Sequence, residues 1–151
     1  MSQGTTKGVP IDTDPTLSAN SNQLVASQAA VVSYVTNSIS TAVGGIWVNV
    51  TGTTQSMAVS TNYIANNASL VTFTLPSTAA VGTVNRICGQ GVGGWKLVEN
   101  PGQTIHFGQI DTQTTTGSIS STNAKDCIEL VCTLVNTEWV VVSLIGNMSF
   151  V

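Results

Sequence analysis

From Ile46 to the C-terminus, short runs of β-branched and aromatic residues alternate with clusters of Gly, Pro, Asn and Ser. This alternation limits the fold more than any other feature. A helix needs apolar positions recurring at about 3.6 residues, whereas a half-buried strand needs a period of two. Val71, Phe73 and Leu75 share one face, Thr72 and Thr74 the other, and Pro76 ends the run. Arg86-Ile87-Cys88 leads through a glycine cluster into Trp95-Lys96-Leu97-Val98, and Asn100-Pro101-Gly102 then turns the chain into Thr104-Ile105-His106-Phe107. These segments read as consecutive antiparallel strands. Cys127 to Val135 and Trp139 to Ile145 flank Asn136-Thr137-Glu138, the pattern of a hairpin with a three-residue connection. With 22 Thr, 20 Val and 10 Ile, about a third of the chain is β-branched, which suits a pleated, half-buried surface. The expected fold is mainly β, an antiparallel β-sandwich or jelly-roll-like domain over residues 46–151. Gln109 to Asn123, rich in Thr and Ser, reads as a long surface loop, and no sequence segment repeats at a fixed period.

Two shorter regions precede this domain. Residues 1–22 hold Pro10, Pro15, Asp12, Asp14 and the Gly4/Gly8 pair without a periodic apolar face, so they read as an extended arm. Its apolar positions Val9, Ile11 and Leu17 are the expected contacts with a neighbouring surface. Residues 23–45 read as a short helix and a Gly-Gly linker. The helix is expected from Ser27, as N-cap, to Ala42, with Gly44-Gly45 ending it. Val32 and Ile39 lie seven apart, Val35 falls between them, and Val25 extends the spacing back into the arm. About four turns of Ser, Thr, Val and Ala are marginal in isolation, because nucleation is costly and β-branched residues form helix poorly. Val25, Val32, Val35 and Ile39 are therefore the expected oligomer interface. Packing of the helix on its own β domain is the other reading.

Charge decides what such a chain can bind. Only four basic and seven acidic residues occur among 151, or 7% charged, against about 25% in an ordinary soluble domain. A surface so poor in charge is expected to be covered in part by copies of itself. Four cations cannot build a patch that neutralises several phosphates, so nucleic acid is not an expected partner. No apolar run reaches the roughly 18 to 20 residues of a membrane span; Trp139 to Ile145 is interrupted by Ser143 and ended by Gly146. The first ten residues lack the apolar core of a secretory signal.

Motifs that carry chemistry in other proteins lack their context here. Gly89-Gln90-Gly91-Val92-Gly93-Gly94 satisfies G-x-G-x-x-G, but a strand pattern follows instead of a helix, so it reads as a tight β-turn or bulge. His106 is the only histidine, alternates with Ile105 and Phe107, and reads as a hydrogen-bonded structural residue. Asp111, Asp126, Glu129 and Glu138 are the carboxylates that could pair for glycoside hydrolysis, though spacing alone singles out no pair. Neither a catalytic site, nor a metal site, nor a cofactor is expected. Cys88, Cys127 and Cys132 fit no Cys-x-x-Cys spacing and read as three reduced thiols, a bridge from Cys88 to one of the others being the second reading. An exposed indole can stack on a sugar ring, which makes Trp47, Trp95 and Trp139 candidates. Trp139 heads an apolar strand and reads as core. Trp95, beside the glycine turn and followed by Lys96, reads first as core; the other reading makes it, with Lys96 and Gln109, a ligand or subunit contact.

Two stretches resemble a known family. Pro10-Ile11-Asp12-Thr13-Asp14-Pro15-Thr16-Leu17-Ser18-Ala19-Asn20-Ser21, with Leu24-Val25-Ala26-Ser27-Gln28, Ala30-Val31 and Tyr34-Val35, resembles a segment of bacteriophage tail-fibre and related phage structural proteins. Ala65 to Pro76, Gly93-Gly94-Trp95-Lys96 and Gly102 to Gly108 resemble the C-terminal β domain beside that segment. The resemblance implies a homotrimer, with the helix on the three-fold axis and a β-rich tip that attaches to host surfaces, often to glycans. It also implies a virion or extracellular location. Where those proteins usually carry lysines and an acidic residue in the helix, this chain has Ala29, Val32 and Thr36, which favours a small self-assembling subunit. The expectation is a non-enzymatic structural fibre protein. A filament subunit joined by its N-terminal arm, and a soluble glycan-binding module, are the alternatives.

Overall fold

The computed structural model describes residues 11–13, 25–27, 29–35, 45–114 and 116–151. The chain divides into two compact units, residues 1–44 and 45–151.

In the first unit, β1 (Ile11–Asp12) pairs in parallel with β2 (Val25–Ala26), Ile11 opposite Val25 and Asp12 opposite Ala26. Among the described residues, 29–35 are helical and form α1. Ser27 caps it as the sequence suggests: its hydroxyl accepts the Ala30 N–H at 3.0 Å, and its carbonyl accepts the Val31 N–H at 3.0 Å. Val25 is a strand residue and does not continue the helical seam, because β2 ends before the cap. Val9, Leu17, Ile39 and the expected helix end at Ala42 lie outside the described residues.

The second unit is a sandwich of two mixed sheets. Its strands are β3 (Ile46–Val50), β4 (Thr54–Ser56), β5 (Thr61–Ala65), β6 (Val71–Thr74), β7 (Val84–Gly89), β8 (Trp95–Val98), β9 (Thr104–Phe107), β10 (Ile110–Asp111), β11 (Ser118–Ser121), β12 (Cys127–Leu134), β13 (Glu138–Ile145) and β14 (Met148–Phe150). One sheet has the order β10-β9-β13-β12-β7-β5-β3 and the other β14-β11-β8-β6-β4. From β3 to β8 the chain alternates between sheets, and each strand from β5 on pairs in parallel with the strand two before it. The expected run of consecutive antiparallel strands is therefore replaced by a flattened parallel coil. Period-two alternation tells which face of a strand is buried, but not its neighbour or its direction. Here the short connections carry the chain across the sandwich rather than back along one sheet.

The second and third turns of this coil share one offset. Asn62 lies opposite Arg86 in one sheet and Val71 opposite Trp95 in the other, and the two pairs have the same separation in sequence. The two stretches have little sequence in common, so the repeat belongs to the backbone. The glycine cluster makes it feasible. Gly91 and Gly93 lie over Asn67 and Ser69 with that same offset, and an added β-carbon would fall 2.1 Å from backbone atoms of each. The Gly93 N–H donates to the Asn67 carbonyl at 3.1 Å and the Gly91 N–H to that of Ala65 at 2.9 Å. No side chain fits between connections that hydrogen-bond so closely.

Antiparallel pairing resumes after β8. The β12–β13 hairpin inserts between β7 and β9, so β9 pairs in parallel with β13. Its connection is Val135-Asn136-Thr137, one residue earlier than expected, with Asn136 in the left-handed region at φ 66°. The stretch from Gln109 to Asn123 is not one loop, because it contributes β10 and β11 to opposite sheets.

Between the sheets lie Tyr63, Phe73, Leu75, Ile87, Trp95, Leu97, Ile105, Ile119, Leu130 and Trp139, all buried. Burying one such side chain stabilises the fold by about 1.5–3 kcal/mol. Polar residues share this interior. Gln103 is buried, donates to the carbonyls of Pro76 at 2.8 Å and Asn136 at 2.9 Å, and accepts the Asn100 N–H at 2.8 Å. It thereby ties the start of β9 to the hairpin connection. A buried amide placed in this way has partners for both its donors and its acceptor.

Candidate functional site

The side chains that do not enter the core of the seven-stranded sheet form its outer face. On β7 the inward residues are Asn85 and Ile87, leaving Arg86 and Cys88 outward; on β12 Ile128 and Leu130 are inward, leaving Cys127 and Glu129 outward. Register places Arg86 opposite Glu129 and Cys88 opposite Cys127. With Trp47 of β3 and Ser143 and Ile145 of β13, these four residues line a groove of about 290 Å³.

The groove has two chemically different parts. Arg86 Nε pairs with Glu129 Oε2, both side chains about one-third exposed, and this orients the two planar groups across the strands. Beside them are the thiols. Burial, reinforced by the hydrogen bond and charge of Cys127, pushes the Cys88 thiol from its ordinary 9.0 up to about 12, with Arg86 opposing the shift. Trp47, 46% exposed, and Ile145 supply apolar surface. An indole beside a fixed set of donors and acceptors can take a ligand with one apolar face and a hydroxylated rim.

The sequence offers Trp95, Lys96 and Gln109 as a ligand contact only in the second reading of Trp95, the first being core. Trp95 is fully buried between the sheets and donates its indole N–H to the Asp126 carbonyl at 2.8 Å, so it offers no stacking face. Lys96 is half-buried on β8, and Gln109 is exposed in the turn between β9 and β10 of the other sheet. The fold does not bring these three together. Trp139 is core, as expected. Trp47 shares a strand face with Asn49, whereas Val48 and Val50 alternate with them; that pairing is the signal that separates it from the other two indoles.

The four carboxylates have separate positions. Asp111 Oδ1 accepts the His106 Nδ1–H at 2.6 Å, and Glu138 lies 4.0 Å from Nε2, which makes His106 the hydrogen-bonded residue the sequence suggests. Asp126 is buried and accepts the N–H groups of Thr122 and Asn123 at 2.9 Å, closing its own turn. Glu129 is the partner of Arg86. Among the described residues no group of three or more His, Cys, Asp or Glu side chains could hold a metal ion.

A second exposed surface belongs to the first unit. Helix α1 leaves Val31, Val32, Tyr34 and Val35 exposed, Val32 at 63%. Two of these, Val32 and Val35, are residues the sequence assigns to an oligomer interface. Among the described residues no helix is long and apolar enough to cross a membrane.

The sequence matches no protein-family model, and it has no significant match among curated proteins.

Proposed function

We propose that this chain is a non-enzymatic structural protein that assembles with copies of itself, as a trimer about α1, and displays the β-sandwich for attachment or fibre building on a virion or outside a cell. The observation that carries this reading is the concentration of Val31, Val32, Tyr34 and Val35 on one short helix, all exposed in the single chain. A helix of a few turns rich in β-branched residues gains little stability by itself, and exposed apolar surface marks an interaction site. The scarcity of charge, 7% of the sequence, points the same way, as does the resemblance to phage tail-fibre segments.

The mass of the full-length protein in solution tests this, measured beside Val32→Glu and Val35→Glu. Particles of about three chains that dissociate in the variants support the reading. A monomeric wild-type protein overturns it.

A glycan-binding role is the second reading, and the exposed Trp47 in the outer-face groove favours it. A glycan array probed with wild type and Trp47→Ala tests it: binding lost in the variant supports it, and no binding by wild type rejects it.

A further inference from the structure

We propose that Cys88 and Cys127 form a dithiol modification site, which a low-molecular-weight disulfide reaching the outer-face groove closes into a cross-strand disulfide by exchange. The two residues are directly opposed on the antiparallel strands β7 and β12. The state of the ladder at this position follows from its neighbours. The next opposed pair is hydrogen-bonded, Gly89 N–H to Asp126 carbonyl at 3.0 Å, and so is the pair at the other end of β7, Cys132 N–H to Thr83 carbonyl at 2.9 Å. Hydrogen-bonded and non-hydrogen-bonded pairs alternate in an antiparallel ladder, so Cys88 and Cys127 occupy a non-hydrogen-bonded pair. There the α-carbons stand about 4.5 Å apart and the side chains lean together, which lies within the roughly 4.4–6.8 Å that a disulfide spans.

Access and chemistry agree with this geometry. Both thiols are free, both are partly exposed, and both line the groove beside Trp47 and Ser143. Cys132, although also a free thiol, is buried, does not line the groove and is opposed by Trp139. Because Cys88 holds its proton tightly, the first exchange falls to Cys127. Its thiolate attacks the disulfide RSSR, forming Cys127–SSR and releasing RS⁻. That step removes the Cys127 charge that opposed ionisation of Cys88. Cys88 then loses its proton to solvent and attacks the Cys127 sulfur, forming the protein disulfide and releasing a second RS⁻. In balance, two protein thiols are oxidised and one RSSR is reduced to two RSH.

The test is equilibration of full-length wild-type protein with reduced or oxidised glutathione, followed by acid quench, denaturation, alkylation and intact mass. Three alkylated cysteines in reduced glutathione, one in oxidised glutathione, and a peptide pair joining Cys88 to Cys127 are expected. Cys132→Ala should still lose two hydrogens, and Cys127→Ser should not. Three free thiols under both conditions, a glutathione adduct that never resolves, a bridge that includes Cys132, or a disulfide between two chains would each overturn the proposal.

Discussion

Gly91 lies against Asn67, one turn of the coil earlier in the chain, so closely that a β-carbon on Gly91 would be 2.1 Å from the Asn67 carbonyl oxygen. This contact stacks the connection between β7 and β8 on that between β5 and β6. Gly91→Ala must separate two backbones that hydrogen-bond to each other, and it should cost about 3 kcal/mol or more in urea unfolding. Gly52→Ala, whose β-carbon would meet only the Thr54 carbonyl oxygen at 3.9 Å, should change stability by no more than about 1 kcal/mol.

Gln103→Leu should destabilise the sandwich by roughly 2–4 kcal/mol, although it substitutes an apolar side chain into a buried site. The carbonyls of Pro76 and Asn136 and the N–H of Asn100 would lose their partner together. The midpoint of urea unfolding should fall while its slope stays unchanged.

Trp47 and Trp95 should respond oppositely to substitution. Trp95→Phe keeps much of the buried ring but leaves the Asp126 carbonyl without the indole donor, a loss of about 1–3 kcal/mol. Trp47→Phe should cost less than about 1 kcal/mol, because the side chain is half in solvent. Iodide quenching of tryptophan fluorescence should be largely lost in Trp47→Phe and retained in Trp95→Phe.

The Cys88 thiol makes stability fall in alkali. Its folded-state pKa of about 12 lies above the ordinary 9.0, so the folded state holds the proton more tightly than the unfolded state. The contribution is complete below pH 9 and is lost as pH rises towards about 12. Under reductant, the Tm of wild type relative to Cys88→Ser should therefore decline across that interval. A constant difference would contradict the assigned shift.

Much of the fold was legible because it depends on neighbours in sequence. The alternation from Val71 to Leu75 identified the inward face of β6, Ser27 identified the N-terminus of α1, and the turn near Asn136 identified the hairpin. The hairpin connection starts one residue earlier than the sequence pattern suggests, with Asn136 second in it and in the left-handed region. His106 as a hydrogen-bonded residue and Trp139 as core were legible in the same way. Trp95 as core, the first of its two readings, was legible as well, whereas the turn beside it gives no sign that the second sheet closes over the indole and leaves it no ligand face.

The sequence by itself determined that this would be a strand-built, charge-poor protein with a capped helix before its β domain. Those properties arise from side-chain shape, side-chain charge and local hydrogen bonding, which act within a few residues. Tertiary structure alone decided that β3 to β8 coil in parallel, that Gly91 stacks on Asn67, that Trp47 rather than Trp95 reaches the surface, and that Cys88 faces Cys127 from a distant part of the chain. The reason is physical: a strand satisfies its backbone equally well beside any partner of suitable length and pattern, so pairing is selected by the packing of the whole sandwich.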